Sequence, residues 1–209
     1  MTNTVSGSNM NTQKSLSAPR FIALVGMFGA IAFVLMLIEI PLPVIAPAFY
    51  EIDLSEVPVL IGTFSLGPVG GLLIELVKIL LHLVVKGTST VFVGELGNFI
   101  IGASLFLPAG LIYRKIKTRR GAVLGMVAGT LFMVVVGSLF NAYVLLPLYA
   151  TAFGGMEKIL QAGAAVHASI STVGGFVALC VAPFNLIKGI ITSVVTFFLY
   201  KRVSRLIKG

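Results

Sequence analysis

The sequence predicts an all-α integral membrane protein, a bundle of six transmembrane helices with both termini in the cytoplasm. Three observations carry that prediction. Of the 209 residues, 57% are hydrophobic and 11% charged, against roughly a quarter charged in a soluble domain. A soluble fold of this length could not hide so much apolar surface. Several stretches run for about 18 residues or more with few charges, the length that crosses ~30 Å of hydrocarbon. Finally, basic residues cluster beside these stretches: Lys14 and Arg20, then Arg114, Lys115, Lys117, Arg119 and Arg120, then Lys201, Arg202, Arg205 and Lys208. No acidic residue lies within those clusters. The net charge of +8 therefore follows the positive-inside pattern and argues for a lipid bilayer rather than a nucleic acid as partner.

Residues 1–17, rich in Ser, Thr and Asn, read as a disordered cytoplasmic tail, with 18–209 as a single membrane domain. The apolar run after the tail is too long for a signal peptide and lacks a cleavage-type end. A first span covers 21–40 and stops at Pro41-Leu42-Pro43. An outward loop follows, with Phe49, Tyr50, Glu51, Asp53 and Glu56. A short second span begins near Pro58 and turns at Leu66-Gly67-Pro68, and a third runs over 69–85. The fourth covers 92–112 and the fifth runs from Ala122 to Leu146-Pro147. Residues 150–183 read as a Gly- and Ala-rich connection whose apolar stretch, 173–182, is either part of the last helix or a re-entrant segment. The last span covers 183–200.

Ionisable and amide side chains are expensive in hydrocarbon and mark sites by default. Those in the spans are Glu75, Lys78, Glu95, Asn98, Asn141, Asn185 and Lys188. At a rise of ~1.5 Å per residue, all fall at or beyond mid-membrane on the outward side. Candidate ligand-binding residues are Asn141, Asn185, Lys188, Lys78, Glu95 and Thr90, with Phe49 and Tyr50 on a lid-like outer loop. Asn185 and Lys188 share a helix face, whereas Glu75 and Lys78, also three apart, can instead neutralise each other. Asn98 and Asn141 can serve as interhelical hydrogen-bond partners, and Phe49 and Tyr50 as interfacial anchors. All six arginines lie on the inner side of this topology, so no Arg fork awaits an anionic ligand from outside. The implied ligand is largely uncharged, with an apolar body and several donors and acceptors. Gly26 and Ala30 allow a second helix to approach closely, either within the bundle or from a partner membrane protein.

The sequence holds no GxxxxGK[ST], HExxH or CxxC motif, one cysteine (Cys180) and two histidines (His82 and His167). These absences argue against ATP binding through a P-loop, a typical metal centre and an enzyme. The serine of Gly102-Ala103-Ser104 would need a histidine base on a neighbouring helix, but His167 falls in a predicted loop and His82 near a helix end. A binding protein of this kind needs an external motor, whereas a secondary transporter typically shows paired repeats.

Several separated blocks resemble the riboflavin-specific S components of energy-coupling-factor (ECF) transporters. They are Pro47-Ala48-Phe49-Tyr50-Glu51-Ile52-Asp53 and its continuation to Gly62, Leu66-Gly67-Pro68-Val69-Gly70-Gly71, Ile74-Glu75-Leu76-Val77-Lys78, Gly94-Glu95-Leu96-Gly97-Asn98-Phe99, and Ala182-Pro183-Phe184-Asn185-Leu186-Ile187-Lys188-Gly189. The resemblance spans about residues 20–200. It implies a six-helix bundle in a bacterial cell membrane that binds riboflavin as transported ligand rather than as cofactor. It also implies docking to a membrane coupling protein (T component) with two ATPase subunits, and toppling within the membrane to deliver the vitamin. By the same resemblance, Asn141, Asn185 and Lys188 hold the isoalloxazine ring, and Gly26 and Ala30 fall on the surface that meets the coupling protein. Riboflavin suits the residues independently: it is flat, aromatic and uncharged, with a uracil-like edge for amides and an ammonium. Its ribityl hydroxyls can use Glu95, Thr88 or Thr90. The same architecture with thiamine, biotin or a pyridoxal form is the alternative.

Overall fold

The computed structural model describes residues 17–88 and 90–208, so the expected tail lies almost wholly outside the described residues. Among the described residues the regular structure is helical apart from one short hairpin. In order the elements are α1 (Ala18–Met36), β1 (Ile40–Pro41), β2 (Glu51–Ile52), α2 (Glu56–Leu66), α3 (Pro68–Lys86), α4 (Val93–Lys115), α5 (Arg119–Phe140), α6 (Leu146–Phe153), α7 (Met156–Val166), α8 (Val173–Phe176) and α9 (Ala182–Lys208). A π-helical turn, Asn141–Leu145, joins α5 to α6 without a break. A second, Val177–Val181, joins α8 to α9.

Five of the resulting helices are long and apolar enough to cross a membrane: Ala18–Met36, Pro68–Lys86, Val93–Lys115, Arg119–Ala152 and Val173–Tyr200. The expected second span is α2, whose 11 residues rise only ~16 Å, about half the hydrocarbon thickness. It is short because Gly67 adopts φ +89° and ψ 173°, a conformation open to glycine, and Pro68 then starts α3. Residues 56–64 of α2 are buried, because the helix is packed among α1, α3, α4 and α9. The last span starts ten residues before the expected Pro183, so the stretch 173–182 belongs to the last helix.

Both π turns directly precede a proline. Pro147 and Pro183 lack an N–H, and their rings crowd the carbonyl four residues back. Immediately before each, the ladder widens: Leu146 N–H bonds to the Asn141 carbonyl and Ala182 N–H to that of Val177. One extra residue per turn absorbs the proline without breaking the span. The helices then close tightly through glycines. A Cβ on Gly129 would lie 2.2 Å from the Leu105 carbonyl oxygen, and one on Gly125 2.7 Å from that of Ala109, so α4 and α5 meet backbone to backbone.

Two apolar clusters fill the bundle. One gathers Phe28, Leu60, Ile61, Ile74, Phe106 and Met126 from α1 to α5. The other gathers Ala46, Ile52, Leu146, Ile159, Phe176 and Phe184 beneath the 40–52 hairpin. At one end of the molecule Phe64 packs on Tyr113 and Tyr200, whose hydroxyls meet each other. The Arg114–Arg120 and Lys201–Lys208 clusters follow directly from that end. The hairpin, the end of α3 and the start of α4 lie at the opposite end, where Lys86 pairs with Glu39.

Candidate functional site

At the hairpin end the helices enclose a cavity of about 530 Å³, within the range of pockets that hold drug-sized ligands. The residues that turn the chain at this end also line it. Met36 comes from the end of α1 and Glu39 from the link after it, His82 and Lys86 from α3, Thr90 from the loop before α4, and Glu95 and Asn98 from the start of α4. The proline-linked π turns deliver Asn141 and, one turn later, Leu145 and Tyr149. Similarly, α9 delivers Phe184, Asn185 and Lys188 just after its own π turn.

One wall is aromatic. Tyr50 lies with ring centroids 5.0 Å from Phe49 and 5.3 Å from Phe184, and Phe49 lies 6.2 Å from Tyr149. Flat aromatic surfaces at such spacings favour offset or edge-on partners. Another wall is polar. Asn185 is 2% exposed, and its Nδ2 has no partner, so a buried donor is left for a ligand to satisfy. Both ring nitrogens of His82 are likewise unpaired.

The 40–53 loop supplies partners to the deep polar residues. Tyr50 hydroxyl donates to Asn141 Oδ1 at 2.7 Å, and Asn141 Nδ2 donates to the Gly137 carbonyl at 2.8 Å. Lys188 Nζ meets Asp53 Oδ2 at 3.0 Å. Burial opposes the Asp53 carboxylate, but Lys188, Lys78 and the Ser55 N–H, which donates to Oδ1 at 2.7 Å, outweigh it. Its pKa is held at about 2. Burial and neighbouring Glu39 push Glu51 upward despite Lys86, while burial pushes Tyr50 well above the usual phenol value. At the start of α4, Thr88 and Thr90 hydroxyls donate to Glu95 Oε2 at 3.1 and 3.2 Å.

The structure gathers seven of the eight ligand candidates around this cavity: Asn141, Asn185, Lys188, Glu95, Thr90, Phe49 and Tyr50. Lys78 stands behind it. Fully buried, it bonds Glu56 Oε1 at 2.8 Å and Glu75 Oε1 at 2.7 Å, and it donates to Ser55 Oγ at 3.2 Å. Its role is to anchor the start of α2 to α3, with Glu56 facing the cavity in front of it. Asp53, Glu56, His82 and Tyr149 also line the site, and sequence reasoning did not select them. The two acids did carry a signal, being charges in an otherwise apolar loop and helix start. Gly26 and Ala30 sit on an exposed face of α1, with nothing within 4 Å of a Cβ built on Gly26, while Gly29 packs against Val77. Among the described residues no group of three His, Cys, Asp or Glu side chains is placed to hold a metal ion.

The model of the family described as ECF transporter, substrate-specific component, matches residues 20–200. This chain belongs to that family. S components are transporter subunits, not enzymes, and the helical membrane-type architecture described above is theirs. The chain is similar to the riboflavin transporter RibU of Staphylococcus aureus (strain TCH60), with 36% identity over 88% of this chain and 90% of the relative. It is 33% identical to the riboflavin transporter FmnP of Bacillus subtilis (strain 168), over 83% of this chain and 86% of that one. A solved structure of the S component of a bacterial ECF transporter superposes with a TM-score of 0.72 and 34% identity, covering 92% of this S component and 100% of that chain.

Proposed function

We propose that this S component captures riboflavin from outside a bacterial cell and delivers it inward with an ECF module, composed of a membrane coupling protein and two ATPases. The observation that carries the reading is the pairing of an aromatic wall, Phe49, Tyr50, Tyr149 and Phe184, with a deep amide and ammonium edge. A flat isoalloxazine ring fits between them, its uracil-like edge toward Asn185, Lys188 and Asn141. The free Asn185 donor finds a carbonyl there, and the ribityl chain runs toward Thr90 and Glu95. The identity to riboflavin transporters over most of the chain supports the same ligand.

The topology follows from charge. The basic clusters end the helices opposite the cavity, and the positive-inside bias assigns that end to the cytoplasm. With the half-length α2 counted as the sixth segment, both termini lie inside and the cavity faces outward. The exposed small face of α1 at Gly26 and Ala30 meets the coupling protein.

Riboflavin fluorescence tests the reading in detergent-purified, ligand-free protein. Stoichiometric quenching is expected, with affinity reduced at least about tenfold in Asn185→Ala and Lys188→Ala, the loss of roughly one charge-assisted or buried hydrogen bond each. Unchanged fluorescence on adding wild-type protein would sink the riboflavin assignment.

A further inference from the structure

Beyond that reading, and independently of what fills the cavity, we infer that the tight turn between α4 and α5, at the opposite end of the bundle, is a binding surface for an anionic phospholipid.

The turn is short and fixed. Only residues 116–118 separate the two helices. Ile116 N–H bonds to the Ile112 carbonyl at 2.9 Å and Thr118 N–H to that of Ile116 at 2.8 Å. Thr118 Oγ1 then caps α5 by accepting from Gly121 N–H at 3.2 Å. A Cβ on Gly121 would overlap the Ile116 carbonyl oxygen, so the turn closes only over glycine. On this frame stand five cations, Arg114, Lys115, Lys117, Arg119 and Arg120, every one exposed. Among the described residues none of them forms an ion pair. Nor can the chain's own acids reach them. Of its seven acidic residues, five line the cavity, Glu75 is bound to Lys78, and Glu157 lies on α7, which packs on α6 beyond the far end of α5. Cations this close repel one another, and the counter-charge has to come from outside the chain.

A second observation says which anion. Leu111 precedes Arg114 by three residues, while Val123 and Leu124 follow Arg119 and Arg120 by four, spacings that share a helix face. These three apolar side chains are 53%, 40% and 56% exposed, and Ile116, between Lys115 and Lys117, is 43% exposed. Each arginine therefore stands at a helix end with an open apolar strip leading from it into the span. A phospholipid matches both parts, with its phosphate on the arginine forks and an acyl chain along the strip. A free phosphate or an acidic protein segment would use the cations alone. Close to an anionic bilayer surface each basic residue strengthens attachment about fivefold.

The test immobilises the full chain in neutral maltoside micelles doped with equal amounts of phosphatidylglycerol and phosphatidylcholine, then extracts and counts the lipids retained after washing. Phosphatidylglycerol should be retained at least about tenfold over phosphatidylcholine. Arg114→Gln, Lys117→Gln and Arg120→Gln together should cut that ratio at least about fivefold, with the melting temperature in lipid-free micelles near wild type. Raising salt to about 1 M should cut the wild-type ratio in the same direction, which serves if the triple variant does not fold. Excess glycerol 3-phosphate should leave the bound lipid in place. Equal retention of the two lipids would overturn the inference, as would a ratio unmoved by both the variant and salt. Displacement by glycerol 3-phosphate would overturn it too, since the headgroup phosphate alone would then be the ligand. Equal retention combined with loss of uptake in cells carrying the triple variant would assign the turn to an acidic partner protein instead.

Discussion

Lys78 is fully buried between two carboxylates, Glu56 and Glu75, and both Glu75 oxygens lack a hydrogen-bond partner other than this ion pair. Two acids facing one ammonium make their removal unequal. Lys78→Met strands two buried negative charges and should cost about 3–5 kcal/mol. Glu75→Gln removes the surplus charge, keeps the shape and should be neutral or mildly stabilising. Thermal melts of the detergent-solubilised protein check the asymmetry; equal losses would mean that Glu75 is not in surplus. Asp53 gives a pH counterpart. Its folded pKa of about 2 lies below the ordinary 3.8, so its contribution is complete above about pH 4. That contribution, on the order of 2 kcal/mol, disappears as pH falls from about 4 to about 2. Melting temperatures should reflect this loss, and Asp53→Asn should remove that part of the acid dependence. The lysines and amides of the spans were legible from sequence because each is costly in hydrocarbon. Their partners were harder to assign: Asp53 reaches Lys188 across 135 residues, and no local pattern encodes that closure.

At the scale of elements, the sequence located the long spans through sustained apolar runs and their basic ends. Two features it left less determined, for physical reasons. The eleven-residue α2 has the composition of a span but not the length, since Gly67 and Pro68 stop it early. The stretch 173–182 stayed open between last helix and re-entrant segment because Pro183 is a helix-stop signal, and the Val177–Val181 π turn carries the helix through it. The same device before Pro147 sets Asn141 at the cavity. These turns therefore belong to the site as much as to the helices. Pro183→Ala removes the reason for the wider turn and restores a full helical ladder. Helix propensity favours the change by up to about 3 kcal/mol, so the melting temperature should hold or rise. Reversion to an α-turn would rotate Phe184, Asn185 and Lys188 relative to the helix before them, and riboflavin affinity should fall about tenfold or more, the cost of losing one well-placed buried hydrogen bond. A titration in which affinity survives alongside a higher melting temperature would separate the π turn from binding.

For the whole molecule, one end carries charge and the other carries chemistry. Basic clusters gather where Tyr113 meets Tyr200, and the cavity lies at the hairpin end with the acids. On the proposed topology that polarity gives the chain a direction across the bilayer, and membership of the ECF substrate-specific family implies an energising module as partner. Transport must therefore be coupled through a surface, and the side of α1 away from its neighbours offers one. Gly29 is locked against Val77, whereas Gly26 and Ala30 face outward with space for another helix. Adding bulk at these two positions changes what can approach α1 without touching the cavity. Gly26→Leu with Ala30→Leu should therefore leave the melting temperature and riboflavin quenching near wild type. Uptake into cells supplied with the ATPase module should fall at least about tenfold, because close helix contact depends on small residues. Wild-type uptake in this variant would move the coupling surface to another face; lost quenching would mean that α1 supports the cavity itself.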